Sequence, residues 1–289
     1  MMLRKIGALT LGLAATCMAL EISATEYYGT LKKIYDSGTI VVGHRESSVP
    51  FSYLNKAQEP VGYSIDLCKE IVDEVSMELG KAINVEYVPI NSKTRIPLLE
   101  NGSIDIECGS TTNNLTRQKQ INFTHVTYIT GTKLLVKKDS GIKEVEDLAG
   151  KKIALAQGTT NERIIKKVAK EKGIDIKVLP VKDHSQGFSA LKTGQVDAYS
   201  SDDILLYGLI TKANKLADYK VTGRFLSYDP YALMVRKDDS AFQLVANRRL
   251  SELFRNGKID RIYNKWFMDL GVGMSKMLQF AIQIQTLPQ

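Results

Sequence analysis

Leu99-Glu100-Asn101-Gly102-Ser103-Ile104-Asp105 and Leu191-Lys192-Thr193-Gly194-Gln195-Val196-Asp197 carry one short pattern twice: a helix end, a glycine stop and a buried strand. Five residues beyond each aspartate stand Ser110 and Asp202, at the carboxyl end of the strand. Ligands gather at those ends in open α/β sheets, so the repeat aims polar loops from both halves of the chain at one cleft. A similar string from Phe254 to Asp260 means that the pattern has to be read with its surroundings.

Those surroundings alternate strand with helix. Thr39 to Val42 is β-branched and followed by Gly43, and Ser64 is placed to cap a helix whose apolar positions Ile65, Cys68, Ile71, Val72, Val75 and Leu79 keep helical spacing up to Gly80. A strand from Val85 to Ile90, a short helix ending at Asn101-Gly102 and a strand from Ile104 to Cys108 complete a β-α-β-α-β order, the mark of a mostly parallel sheet. After an extended stretch around Thr132 to Lys137 the order restarts. Lys152 to Ala156, Ile176 to Pro180 and Val196 to Ser200 read as strands, with helices at Asn161 to Lys172 and around Phe188 to Lys192. A second extended stretch, Tyr231 to Arg236, leads into two closing helices. Two such connectors suggest a chain that crosses to a second lobe and returns. The tail from Gly271 onward gives no clear reading.

The 289 residues suit two lobes, and the 44% apolar and 25% charged composition is globular. Arg4 and Lys5 precede an apolar run from Ile6 to Leu20, shorter than the about 20 residues a membrane span needs. With Ile22-Ser23-Ala24 behind it, the run reads as a signal peptide over 1–24. A lipoprotein attached through Cys17 is disfavoured, because Ala14-Ala15-Thr16 lacks the usual large aliphatic residue. The formal charge of +7 becomes +6 once the leader takes away two cations and one anion. Export argues against nucleic acid as a partner, and the remaining positive field suits the steering of small anions. Cys68 and Cys108 remain in the mature chain, and whether they pair is left open by the sequence.

Several loops carry polar groups. Arg45 follows the first strand, Arg95 closes Asn91-Ser92-Lys93-Thr94-Arg95, and Ser110 to Arg117 combines hydroxyls, a helix start and an arginine, a set fit for a carboxylate. Thr159 and Glu162 stand at capping-box spacing, and Asp202-Asp203 before an apolar helix has the look of an N-cap. His184 has no His or Cys at metal-ligand spacing, so neither a metal nor another cofactor is expected.

Taken together, the strings Val41 to Tyr53, Ile96-Pro97-Leu98-Leu99, Glu107 to Asn114, Gly158-Thr159-Thr160, Lys182-Asp183-His184, Asp202-Asp203 and Lys265-Trp266-Phe267 closely resemble the periplasmic glutamate/aspartate-binding proteins of ABC amino-acid uptake systems, within solute-binding protein family 3. The likeness runs roughly from Leu31 to Phe267. The tail departs from it, as does the lack of a cysteine in Tyr231-Ala232-Leu233-Met234.

The resemblance implies an α/β two-lobed periplasmic-binding-protein fold of type II with two crossover strands at the hinge. It places the first lobe at 25–136 plus 232–289 and the second at 137–231. It implies a monomer that captures L-glutamate or L-aspartate and hands it to ABC transporter membrane subunits. By the same likeness Arg45, Ser92, Arg95 and His184 hold the side-chain carboxylate, and Ser110, Thr112 and Arg117 the α-carboxylate, with Thr160 contributing from the other lobe. Asp202, helped by Ser110, takes the ammonium. Three arginines against one aspartate leave a surplus of positive charge for a ligand of net charge −1. The same fold also serves enzymes such as cyclohexadienyl dehydratases, and adhesin or receptor modules. Catalysis would need a general acid against a leaving group, and the neighbours of His184 suit static ion pairing instead.

Overall fold

The computed structural model describes residues 26–288, so the expected leader and Cys17 lie outside the described residues. Two five-stranded sheets form the centres of two lobes. In the first, the spatial order is Asn84–Pro89, Thr39–His44, Ile106–Cys108, Asp229–Arg236 and Ile121–Thr130. The first three strands run parallel, and Asp229–Arg236 lies antiparallel to both its neighbours. The second sheet repeats the plan as Lys177–Val181, Lys152–Ala156, Ala198–Asp202, Thr132–Lys137 and Tyr219–Thr222, again three parallel strands joined by antiparallel ones. Parallel strands buried on both faces need continuous apolar residues. Ile153, Ala154, Leu155 and Ala156 are all buried, as are Leu134, Leu135 and Val136.

The boundary between lobes falls earlier than expected at both crossings. The expected bounds put 132–136 in the first lobe and 229–231 in the second, but Thr132–Lys137 is hydrogen-bonded inside the second sheet and Asp229–Arg236 inside the first. The chain therefore crosses at Gly131 and returns between Thr222 and Asp229. Both stretches are extended and apolar, so composition alone does not reveal which sheet supplies their hydrogen bonds. The two crossings touch each other: Thr132 N–H donates to Ser227 Oγ at 3.0 Å, and Leu226 N–H to the Thr132 carbonyl at 3.1 Å. A Cβ on Gly131 would lie 2.2 Å from the Ser227 carbonyl oxygen, so a glycine is required where the hinge segments meet.

The helix Tyr63–Leu79 buries its apolar face on the first sheet and stops at Gly80 in the left-handed conformation. Gly62, not Ser64, precedes it; the Ser64 hydroxyl instead donates to the Gly109 carbonyl at 2.7 Å. A disulfide joins Cys68 of this helix to Cys108 at the end of its strand. Phe51 is enclosed by the rings of Tyr63, Tyr128, Tyr231 and Phe267, whose centroids lie 5.0 to 6.0 Å away. This cluster is a rigid floor beneath the loops that follow the strands.

The tail, unread from sequence, has a structural role. Ser275 caps the helix Lys276–Ile284, which buries Leu278 and Ile282. Gln285 then accepts from Val126 N–H at 2.7 Å and donates to its carbonyl at 3.1 Å. Its amide thus imitates one residue of a neighbouring strand on the outer edge of the first sheet. Among the described residues no helix is long and apolar enough to cross a membrane.

Candidate functional site

Each parallel strand ends in a loop facing the opposite lobe. Arg45 directly follows Thr39–His44. After Asn84–Pro89, the Asn91 side chain accepts from the N–H groups of Lys93 and Thr94, and the Thr94 hydroxyl accepts from Asn91 N–H. This turn presents Ser92 and starts the helix Arg95–Glu100. After Ile106–Cys108, the stretch Thr111–Asn113 pairs with Pro230–Ala232, fixing Ser110 and Thr112. From the second lobe, Thr159 caps the helix Thr160–Glu171, Asp183 caps the helix His184–Lys192, and Asp202 ends its strand.

One narrow cleft is lined by Arg45, Ser92, Arg95, Ser110, Thr112, Thr160, His184 and Asp202, joined by Thr159, Asn161 and Leu205. Eight of the nine expected ligand residues are thus brought together. The ninth, Arg117, lies behind them, with Nη1 donating to the Thr112 carbonyl at 2.8 Å and Nη2 to the Gly158 carbonyl of the other lobe at 3.3 Å. The lobes are closed over the cleft. Thr112 and Thr160 hydroxyls meet across it at 3.3 Å, and Tyr231 of the first lobe donates its hydroxyl to Asp202 of the second.

Burial dominates the electrostatics. Arg45, Arg95 and Arg117 are at most 3% exposed, and Asp202 is 3% exposed. Burial lowers the pKa of all three guanidiniums, Arg95 most strongly because Arg117 adds repulsion, and Arg117 to about 10. Arginine nonetheless stays charged at neutral pH. Burial, followed by the cations Arg45 and Arg95, pushes His184 well below the usual imidazole range, so it is neutral. Its Nδ1 lies 2.6 Å from the Tyr199 hydroxyl. The Asp202 carboxyl is raised to about 7 by burial and by Asp229 nearby, although Tyr231 and Asn161 both donate to it.

Asp202 does precede the helix Asp203–Lys212, but its side chain makes no capping bond. The N-cap reading therefore fails, and the carboxylate faces the cleft. The Thr159–Glu162 spacing is half a capping box: the Thr159 hydroxyl accepts from Glu162 N–H, while the Glu162 carboxylate takes Gly158 N–H. The expected positive surplus also needs correction. Glu107, fully buried, lies 3.9 Å from Arg95 Nη1, and Asp229 accepts from Thr112 at 2.9 Å. Counted as formal charges, these carboxylates and Asp202 equal the three arginines, and the surplus that remains near neutral pH is the fraction of Asp202 that holds a proton. Asn161 and Tyr231 were likewise missed. Asn161 stands at the start of a helix, where nothing local distinguishes it from an ordinary first-turn residue.

Four buried polar atoms of the lining have no hydrogen-bond partner: Arg45 Nη2, Ser92 Oγ, Arg95 Nε and Ser110 Oγ. Such atoms are costly unless something pairs with them. Two guanidinium nitrogens and two hydroxyls converging at one place form a receptor for an anion. Among the described residues no group of three or more His, Cys, Asp or Glu side chains is placed to hold a metal ion.

Comparison with known proteins finds relatives along most of the chain. The chain is 42% identical over 261 residues to the L-glutamate/L-aspartate-binding protein of Pseudomonas aeruginosa, covering 90% of this chain and 86% of that one. It is 40% identical over 270 residues to the glutamate/aspartate import solute-binding protein of Escherichia coli, covering 92% and 89%. Among solved structures, a mutant of the arginine-binding protein ArgBP from T. maritima superposes with a TM-score of 0.74 at 29% identity, covering 83% of this chain and 100% of that chain. The model of the bacterial extracellular solute-binding proteins, family 3, matches residues 40–269, which hold both sheets except Thr39 and every lining residue of the cleft; the chain belongs to that family.

Proposed function

We propose that this protein captures L-glutamate or L-aspartate between its lobes, in the periplasm, and delivers it as a monomer to the membrane subunits of an ABC transporter. The observation that carries the reading is the set of unpartnered polar atoms on Arg45, Ser92, Arg95 and Ser110 inside a closed cleft. Arg45 and Arg95, with Ser92 and neutral His184, suit the side-chain carboxylate. Ser110, Thr112 and Thr160 suit the α-carboxylate, with the positive charge of Arg117 behind them bracing Thr112, and Asp202 suits the ammonium. The names of the relatives from P. aeruginosa and E. coli support the same ligand class.

The mechanism is hinge closure about Gly131 and the 223–228 return. In the open form the arginines are hydrated; a ligand touching both lobes favours the closed form by its differential contacts. A neutral side chain offers no anion to the unpartnered Arg45 Nη2 and Arg95 Nε, and a lost hydrogen bond to a charged group costs about 1.5–3 kcal/mol, roughly ten- to a hundred-fold in affinity. Calorimetric titration with glutamate, aspartate, glutamine and asparagine tests this. The acids should bind at least about ten-fold tighter than the amides, without turnover. Equal affinities, or conversion of an aromatic precursor, would refute the reading.

A further inference from the structure

Glu107 lies in the middle of the strand Ile106–Cys108, fully buried, directly behind the arginines rather than on the cleft wall. Its Oε2 accepts from the Thr111 hydroxyl at 2.8 Å, and Thr111 Oγ1 is in turn 2.5 Å from Arg95 Nη1. Its Oε1 lies 3.9 Å from the same Nη1 and has no hydrogen-bond partner. The backbone is shaped to admit this carboxylate. A Cβ on Gly109 would meet Glu107 Oε1 at 2.2 Å and Arg45 Cγ at 3.0 Å, so glycine there leaves room for an anion beside both arginines.

A buried carboxylate with a free oxygen is expensive, and a strand interior would ordinarily hold an apolar residue there. Glu107 is the counter-charge shared by Arg45, Arg95 and Arg117, and it opposes the effect of burial on each of them. We propose that Glu107 is a positioning residue of the binding site. Through Thr111 it orients Arg95, and as a fixed anion behind Arg45 and Arg95 it tempers their pull on an acidic side chain, setting the ratio between acidic and amide ligands. The inference rests on the proposed glutamate/aspartate reading and deepens it. A resident anion stabilises three converging cations when the lobes close and keeps the ligand from being held too tightly to be released.

The test uses the mature chain with Glu107→Gln and Glu107→Asp, each titrated with glutamate and with glutamine. Glutamine at 107 keeps an acceptor for Thr111 but removes the charge, so the glutamine-to-glutamate Kd ratio should rise on the order of ten-fold. Aspartate keeps the charge, so the ratio should stay within about two-fold of the unaltered chain even where both affinities weaken. A ratio that is unchanged or lower in Glu107→Gln overturns the proposal. Should that variant fail to fold, Thr111→Val cuts the relay and leaves the charge; it must weaken glutamate more than glutamine, and equal losses overturn the proposal. An unaltered chain with no preference for acids would instead refute the underlying functional reading.

Discussion

Replacing Arg95 with methionine tests the charge argument, because glutamate and glutamine should respond to it by different amounts in one and the same variant. Methionine is also long and unbranched, so it removes the charge while filling much of the same space. Arg95 begins its helix at 2% exposure, with Nη1 held by Thr111 and the Ser110 carbonyl and Nε buried without a partner. Truncating one partner of a buried, hydrogen-bonded charge pair costs about 2–5 kcal/mol. Glutamate should therefore bind roughly thirty- to several-thousand-fold more weakly. Glutamine loses at most a hydrogen bond to a charged donor, about 1.5–3 kcal/mol, without the stranded carboxylate. The preference for acid over amide should consequently shrink. The ligand-free protein should unfold at a lower temperature, because removing Arg95 alone leaves buried Glu107 and the Thr111 hydroxyl without their shared partner, and this outweighs the relief of Arg95's own burial and of its repulsion with Arg117. Calorimetry with both ligands and thermal unfolding in their absence measure the two sides. Equal losses for glutamate and glutamine would show that Arg95 does not meet the side-chain carboxylate, and the charge argument would fall with it.

Asp202 predicts a pH dependence. In the ligand-free folded protein its carboxyl is raised from 3.8 to about 7, so the folded state holds a proton that the unfolded chain has lost across that window. The contribution to ligand-free stability therefore declines as pH rises between those values. A ligand ammonium selects the ionised form, so binding at pH 6 should release a proton and weaken toward about ten-fold per unit below pH 7. Titration in buffers of different ionisation heat reads this directly; Asp202→Asn should abolish the slope, and a slope that survives would assign it to another group. Gly158 tests closure. Its φ is +77°, and a Cβ there would stand 2.9 Å from the Ser92 carbonyl oxygen and 3.1 Å from Lys93 Cα, across the interlobe boundary. Gly158→Ala should weaken glutamate on the order of ten-fold or more, by analogy with strained positive-φ and clashing sites, and should reduce the ligand-induced contraction seen by small-angle scattering. Unchanged affinity would mean that the lobes do not close this far around their ligand.

Much of the site was legible because its residues occupy recurring places: an arginine after a strand, a serine- and threonine-rich loop, an aspartate eight residues past a glycine stop. Local reading alone erred where one residue type serves two purposes. Asp202 precedes a helix as a cap would, yet its carboxylate is taken by Asn161 and by Tyr231 from the other lobe. No sequence spacing encodes a partner 29 residues away across a hinge. The expected charge surplus failed for the same reason. Glu107 reads as a strand residue and Asp229 lies just before an extended stretch, and only their convergence on Arg95 and Thr112 makes them part of the site.

Hydrophobic periodicity and glycine placement determined the elements and their doubled α/β order, because burial on a sheet face imposes its period directly on the chain. The family likeness added the ligand class and the residues to watch. Tertiary structure alone decided which sheet each crossover joins, that Cys68 lies against Cys108, that Gln285 covers an open edge, and that the buried formal charges balance. These depend on distances between segments far apart in sequence, and charge balance inside a closed cleft is a sum over neighbours that exists only once the chain has folded.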